Sequence, residues 1–299
     1  MNGLASRNRP GGAPARNWPV VSIGVQSPLV ISHEVPAAKR DSAWVSVAMP
    51  TPIQHLVLAQ RLLDDASLPD AIRDGLRAQR GAFLFGNTAP DVQTVSGQLR
   101  EATHFFVIPW TRVPQPHQAM FELYPYLGFP RNRPAAHAAF IAGYICHLWL
   151  DVLWVRDIYL DNFGPGARWG ANLRERHVYH NILRAWCDRH DQAQLNGTIG
   201  SALSLVQPDN WLPFTADRYL VQWRDNLAGQ FRPGARIRTV EVFAGRGGVP
   251  PEKFQEVLDS PGKLEQHIFA HVSREQIEKF YHDGYEQMAE LSAGYFRAA

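Results

Sequence analysis

Twenty consecutive residues, AAHAAFIAGYICHLWLDVLW at positions 135–154, constrain the fold of this chain more than any other segment. Wound as an α-helix, the stretch is apolar around nearly its whole circumference, and a helix of that kind belongs inside a protein core. It nevertheless carries His137, His147 and Asp151. At ~100° per residue, His147 and Asp151 stand about 40° apart on one face, with side-chain roots roughly 5–6 Å apart. That spacing lets both grip one ion, and it equally suits a core histidine hydrogen-bonded to a core aspartate. A buried carboxylate without a partner costs several kcal/mol, so Asp151 needs one on either reading. His137 projects within ~40° of Asp151 but lies about three to four turns away, where it can serve a neighbouring ion or support the pair from outside. The two polar residues also interrupt the longest apolar run, leaving no stretch of about 18 uninterrupted apolar residues. A soluble chain without a transmembrane segment is expected.

Around this segment, periodicity and end signals predict helices over about 52–66, 70–80, 134–160 and 172–190. Thr51 and Pro52 suit the start of the first, and Ser273 with Gln276 in capping-box spacing opens a C-terminal helix. Residues 105–133 and 193–262 are punctuated by Pro and Gly and read as long loops with room for short strands. The fold class expected is all-α, a multi-helix bundle with long Pro/Gly-containing loops. Residues 1–48 mix Arg, Pro, Gly and Ser without helical periodicity and are expected to be a disordered N-terminal arm, with Met49 a candidate start and 49–299 a single helical metal-binding domain.

Charge and cysteine usage exclude several classes. The formal net charge is +2, and residues 1–48 contribute +3 of it through Arg7, Arg9, Arg16, Lys39 and Arg40 against Glu34 and Asp41, leaving −1 for the rest. The helical part thus lacks a basic nucleic-acid footprint, and no sequence-specific nucleic-acid partner is expected. Cys146 and Cys187 have neither CxxC spacing nor the numbers for a disulfide framework. No signal peptide is visible, so a cytoplasmic location is expected.

Eight of the twelve histidines fall between residues 49 and 191, so His147 and Asp151 have company. His55 lies in the 52–66 helix, Asp91 ends GAFLFGNTAPD, and His104 sits in REATHFF. Carboxylates with neutral imidazoles are a ligand set for zinc, and the absence of useful cysteines argues against a closed structural zinc site. His177 and His180 share an i, i+3 spacing, and His180 is the better candidate for an extra ligand. Trp110, Trp149, Trp154 and Trp169 could line a lipid pocket, although aromatic residues in apolar helices usually belong to the core.

The segments TPIQHLVLAQRLL, FLFGNTAPDV, ATHFF and FIAGYICHLWLDVLW, in that order, resemble the zinc-dependent phospholipase C family, which is related to the S1/P1-type zinc nucleases. The resemblance covers about residues 49–190. It implies that Asp91, His104 and His147 bind one zinc and that Asp151 bridges to a second, which also takes His55. A third zinc would need a substitute ligand such as His177 or His180, because in VLWVRDIYLDNFG Asp157 falls on another helix face. The activity implied is hydrolysis of a phosphodiester with two or three zinc ions activating water, Asp91 assisting proton transfer. Phospholipid or another phosphodiester is the expected substrate, with transient membrane-surface contact. The alternatives are an HD-type metal phosphohydrolase, suggested by His190-Asp191 and His282-Asp283, and a noncatalytic helical scaffold with a structural metal.

Overall fold

The computed structural model describes residues 49–108, 114–232, 234–235 and 238–298. The arm expected at 1–48 and Trp110 lie outside the described residues. All regular secondary structure among the described residues is helical, in keeping with the all-α expectation. The elements used below are α1 (Pro52–Leu63), α2 (Arg80–Gly86), α3 (Ala135–Trp154), α4 (Leu173–Gln192), α5 (Asp217–Gln230) and α6 (Arg274–Arg297).

Local chemistry explains where the long helices begin. Thr51 caps α1 and Ser273 caps α6, each in a capping box whose third residue is a glutamine, Gln54 or Gln276. Both boxes satisfy amide groups that have no partner within the helix. Asn172 caps α4 by accepting the Glu175 amide at 3.0 Å.

Helix α3 is the axis of the core, with almost every side chain from His137 to Trp154 buried. With its continuation to Asn162 it is long and apolar enough to cross a membrane, yet 94% of its apolar window is buried inside the protein, as in a core helix. The continuation begins as a single π-helical turn, Val155–Tyr159, which re-aims the chain after Trp154. Burying each large side chain, such as the fully enclosed Tyr144 and Trp154, contributes about 1.5–3 kcal/mol.

Two glycines set how α2 crosses α3. A Cβ on Gly86 would overlap the Phe140 carbonyl oxygen, and one on Gly143 would overlap the Phe83 carbonyl and reach to 2.9 Å from the Asn87 amide nitrogen. Only glycine permits backbones to approach this closely. The contact brings Asn87, just beyond α2, onto the face of α3 that carries His147, one turn after Gly143.

The stretch 193–262 differs from the loop expectation. It contains helices Ile199–Ser204, α5, Thr239–Gly247 and Pro251–Leu258, and no strand among the described residues. In α5 the inward positions are Leu220, Arg224, Leu227 and Ala228, so a buried arginine interrupts the apolar pattern. The loop region 105–133 likewise includes the helix Pro116–Leu123, anchored by buried Met120.

Candidate metal centre

Four separate segments deliver side chains to one buried point. His55 comes from the first turn of α1, Asp91 from a one-turn 3-10 helix (Ala89–Val92), His104 from a single turn (Glu101–His104), and His147 with Asp151 from α3. His55, His104, His147 and Asp151 are completely buried, whereas the Asp91 side chain keeps 17% exposure. Phe105, immediately after His104, adopts the left-handed region at φ 60. A bulky residue there costs on the order of 1–2 kcal/mol, which the packing of Phe105 against Tyr124 and Phe214 helps to offset.

The donor atoms have the spacing of a coordination sphere. His104 Nε2 lies 3.4 Å from His147 Nε2 and 3.7 Å from Asp91 Oδ1. Asp151 Oδ2 stands 3.3 Å from His104 Nε2 and 3.5 Å from His147 Nε2. Ligand atoms about 2.0–2.1 Å from a tetrahedral ion lie about 3.3–3.4 Å from one another. Two three-residue groups could each hold a metal ion: Asp91, His104 and His147, and His55, His147 and Asp151.

Neighbouring hydrogen bonds orient the rings. The Asn87 carbonyl lies 2.8 Å from His147 Nδ1, so that nitrogen donates and Nε2 is left with its lone pair. His104 Nδ1 faces the Arg100 carbonyl at 3.2 Å and the Thr103 hydroxyl at 2.9 Å, with the same consequence for its Nε2. Since His147 offers one lone pair, it can serve only one ion, and the two groups cannot both be filled as complete triads. His55 is stacked on His147 with ring centroids 3.9 Å apart, and its Nε2 lies 3.4 Å from Asp151 Oδ1. Neither His55 nitrogen has a hydrogen-bond partner, and neither does Asp151 Oδ1, although all three atoms are buried. Such atoms cost about 1–3 kcal/mol each unless something engages them, as an ion would.

The cluster's electrostatics favour the ligand forms. Burial holds His55 and His104 at about 4, so both imidazoles are neutral near pH 7. Burial opposes ionisation of Asp91, but His104 and His147 outweigh it and draw the carboxyl down to about 2. Asp151 is likewise held well below its ordinary value, burial being overcome chiefly by His147 and then by His55. His147 is the exception: burial disfavours its cation, but the Asp151 carboxylate raises it.

Arg100 is the residue sequence reasoning missed. Its guanidinium is 7% exposed, donates to Asp151 Oδ2 at 2.7 Å and lies 4.4 Å from the Phe106 ring centroid. A cue was present, since Arg100 precedes His104 by four residues and so shares a helix face with it. Arg100 changes the charge balance: with Asp91 and Asp151 it leaves −1, which one dication converts to +1 and two to +3.

His180 does not join the cluster. Its Nε2 accepts the Trp154 indole N–H at 2.8 Å, and the rings of Tyr159 and Phe163 pack beside it. The helical spacing that suggested a ligand serves a core hydrogen bond instead. His177 meets the Tyr159 hydroxyl at 2.7 Å, and His137 meets the Trp211 carbonyl at 2.8 Å. The adjacent pairs His190-Asp191 and His282-Asp283 belong to neither metal-competent group among the described residues. His282 pairs with Glu286 on the surface, and Asp191 accepts the Tyr281 hydroxyl.

A cavity of about 520 Å³ adjoins the cluster, reaching it at Asp91 and Arg100. Its apolar wall includes Ile53, Leu227, Phe231 and Phe243. Of the tryptophans, Trp223 lines it, held by an indole N–H bond to the Thr88 carbonyl at 2.7 Å. Trp154 is instead fully buried, and Trp149 and Trp169 are part-buried against the core. No family model, curated protein or solved structure matches the chain.

Proposed function

We propose that this protein is a zinc-dependent phosphodiester hydrolase, the activity implied by the resemblance to zinc-dependent phospholipases C. The observation that carries the proposal is a donor triad, Asp91, His104 and His147, whose one part-exposed member opens onto a cavity lined by guanidinium groups. Three protein ligands with an open position typify catalytic rather than structural zinc. Zinc bound there would supply Lewis acidity towards a phosphoryl oxygen and would acidify water.

The chain's own groups divide the remaining work. His104 and His147 hold their Nε2 lone pairs towards the ion because backbone and hydroxyl oxygens fix the opposite nitrogens. Asp91, ionised and facing the cavity, is the carboxylate placed to accept a proton. Arg100 offsets the charge of Asp151 and also lines the cavity that a phosphate would enter. The apolar wall suits a substrate with a hydrocarbon part, such as a phospholipid, and other phosphodiesters remain within the same chemistry.

Turnover of bis(p-nitrophenyl) phosphate tests the proposal. The zinc-loaded chain is expected to hydrolyse it, chelation to abolish turnover and zinc to restore it. Asp91→Asn is expected to lower kcat about a hundredfold. Turnover indifferent to chelation, or to Asp91→Asn, would remove the hydrolase. One observation favours a second reading, a noncatalytic scaffold: the Arg100–Asp151 pair already satisfies one carboxylate oxygen without an ion. On that reading the chain holds at most one structural metal and turns nothing over.

A further inference from the structure

The two oxygens of Asp151 meet different partners. Oδ2 accepts from the Arg100 guanidinium at 2.7 Å, whereas Oδ1 lies 3.4 Å from His55 Nε2 and takes part in no hydrogen bond. Among the described residues, Asp151 is the one acid with which Arg100 forms an ion pair. An arginine stays protonated throughout the physiological pH range, so one oxygen of this carboxylate carries a permanent cation. A carboxylate that bridges two metal ions gives one oxygen to each. His147 has a single lone pair to give, so an ion held by Asp91, His104 and His147 leaves only His55 Nε2 and Asp151 Oδ1 for another. With the triad filled, Asp91, Asp151 and Arg100 bring the cluster to +1, and a second dication would enter it where burial limits screening by water.

We propose that Arg100 takes the place of a second metal ion: its guanidinium occupies Asp151 and limits the centre to one zinc, and removing it admits a second zinc at His55 and Asp151. The proposal rests on the metal-binding part of the reading above and is independent of hydrolysis. Two features fit a guanidinium to this part. It carries a fixed positive charge that satisfies a buried carboxylate without any ion, and the Phe106 ring, its centroid 4.4 Å from the guanidinium carbon, adds a contact that no metal would make. A guanidinium differs from an ion in one respect, because it offers N–H donors but no coordination position for water. His55 is the residue this arrangement leaves over. Both its nitrogens are buried without a hydrogen bond, so its Nε2 stays available beside Asp151 Oδ1.

Zinc counted by elemental analysis, after dialysis of the full chain against buffered free zinc, tests this. The wild type is expected to saturate at one zinc per chain and Arg100→Ala at two, with water filling the vacated space and completing the second ion's ligands. Adding His55→Ala to Arg100→Ala should return the count to one. Arg100→Lys keeps the positive charge and should also stay at one. Because Asp151 loses its counter-charge in Arg100→Ala, that variant should melt below the wild type without zinc and gain more from added zinc than the wild type does, as followed by circular dichroism. Two or three ions in the wild type, one in Arg100→Ala, two in Arg100→Lys or in the double variant, or an Arg100→Ala chain that stays unfolded in zinc would overturn the proposal. A wild-type chain that takes up no zinc removes it together with the triad. Failure of the hydrolase reading is seen separately: a wild-type chain that holds its one zinc but never cleaves bis(p-nitrophenyl) phosphate loses the reaction while the count stands.

Discussion

Asp151→Asn is expected to destabilise the metal-free protein by about 3–5 kcal/mol and, in the zinc-supplemented protein, to remove bound metal and with it phosphodiesterase activity, by several orders of magnitude. The stability loss follows from Arg100. Its guanidinium is almost fully buried against Asp151 Oδ2, and the neutral amide leaves that cation without its counter-charge. The metal loss follows from position, because Asp151 Oδ2 is within 3.5 Å of the ligand nitrogens of both His104 and His147. A double variant separates the two roles. Adding Arg100→Met should restore much of the stability, since replacing both members of a buried ion pair by uncharged groups is often close to neutral. It should not restore metal binding. Denaturant titration and metal content measured on both proteins check this. Unchanged stability and unchanged metal in Asp151→Asn would place Asp151 outside any site.

Gly143→Ala is expected to cost more than about 4 kcal/mol, or to prevent folding, through a single methyl group. The added carbon meets backbone on the opposing helix, the Phe83 carbonyl and the Asn87 amide nitrogen, and backbone cannot step aside as a flexible side chain can. Separation of α2 from α3 would also draw the Asn87 carbonyl from His147 Nδ1, freeing the ring to adopt the wrong tautomer. Gly75→Ala is the control, because a Cβ there meets nothing within 4 Å inside the helix Asp70–Ala78. It should stabilise by about 0.5–1 kcal/mol. Melting temperatures of the two variants should therefore move in opposite directions, and a folded Gly143→Ala protein of wild-type stability would refute the tight crossing.

The helices that carry strong end signals were legible in the sequence. Capping residues and apolar periodicity marked α1, α3, α4 and α6 to within a few residues, because caps and buried faces are local properties. Helix α5 was hidden by Arg224, a buried cation at an inward position where the pattern calls for an apolar residue. The site divides in the same way. His147 and Asp151 announce themselves as polar residues on an apolar helix, whereas Asp91 and His104 sit on single turns too short to have a period. Their place came from the resemblance. Asn87 acts through its backbone carbonyl, which every residue type possesses, so nothing in its identity could signal the contact. Arg100 was illegible for another reason, since an arginine is ordinarily solvated and here its partner lies 51 residues away. His180 erred the other way: spacing that fits a ligand also fits a histidine that accepts a bond from Trp154.

The claim on which the rest depends is that Asp91, His104 and His147 hold a catalytic metal beside the cavity. Elemental analysis of the full chain, purified without chelator and dialysed against metal-free buffer, tests it most directly. One zinc per chain, falling to near zero in His104→Ala while helical circular dichroism is retained, is the expected result. A wild-type chain that retains no metal and takes up none on titration with zinc would contradict it, leaving Arg100, His55, His104 and His147 as the buried partners of Asp151.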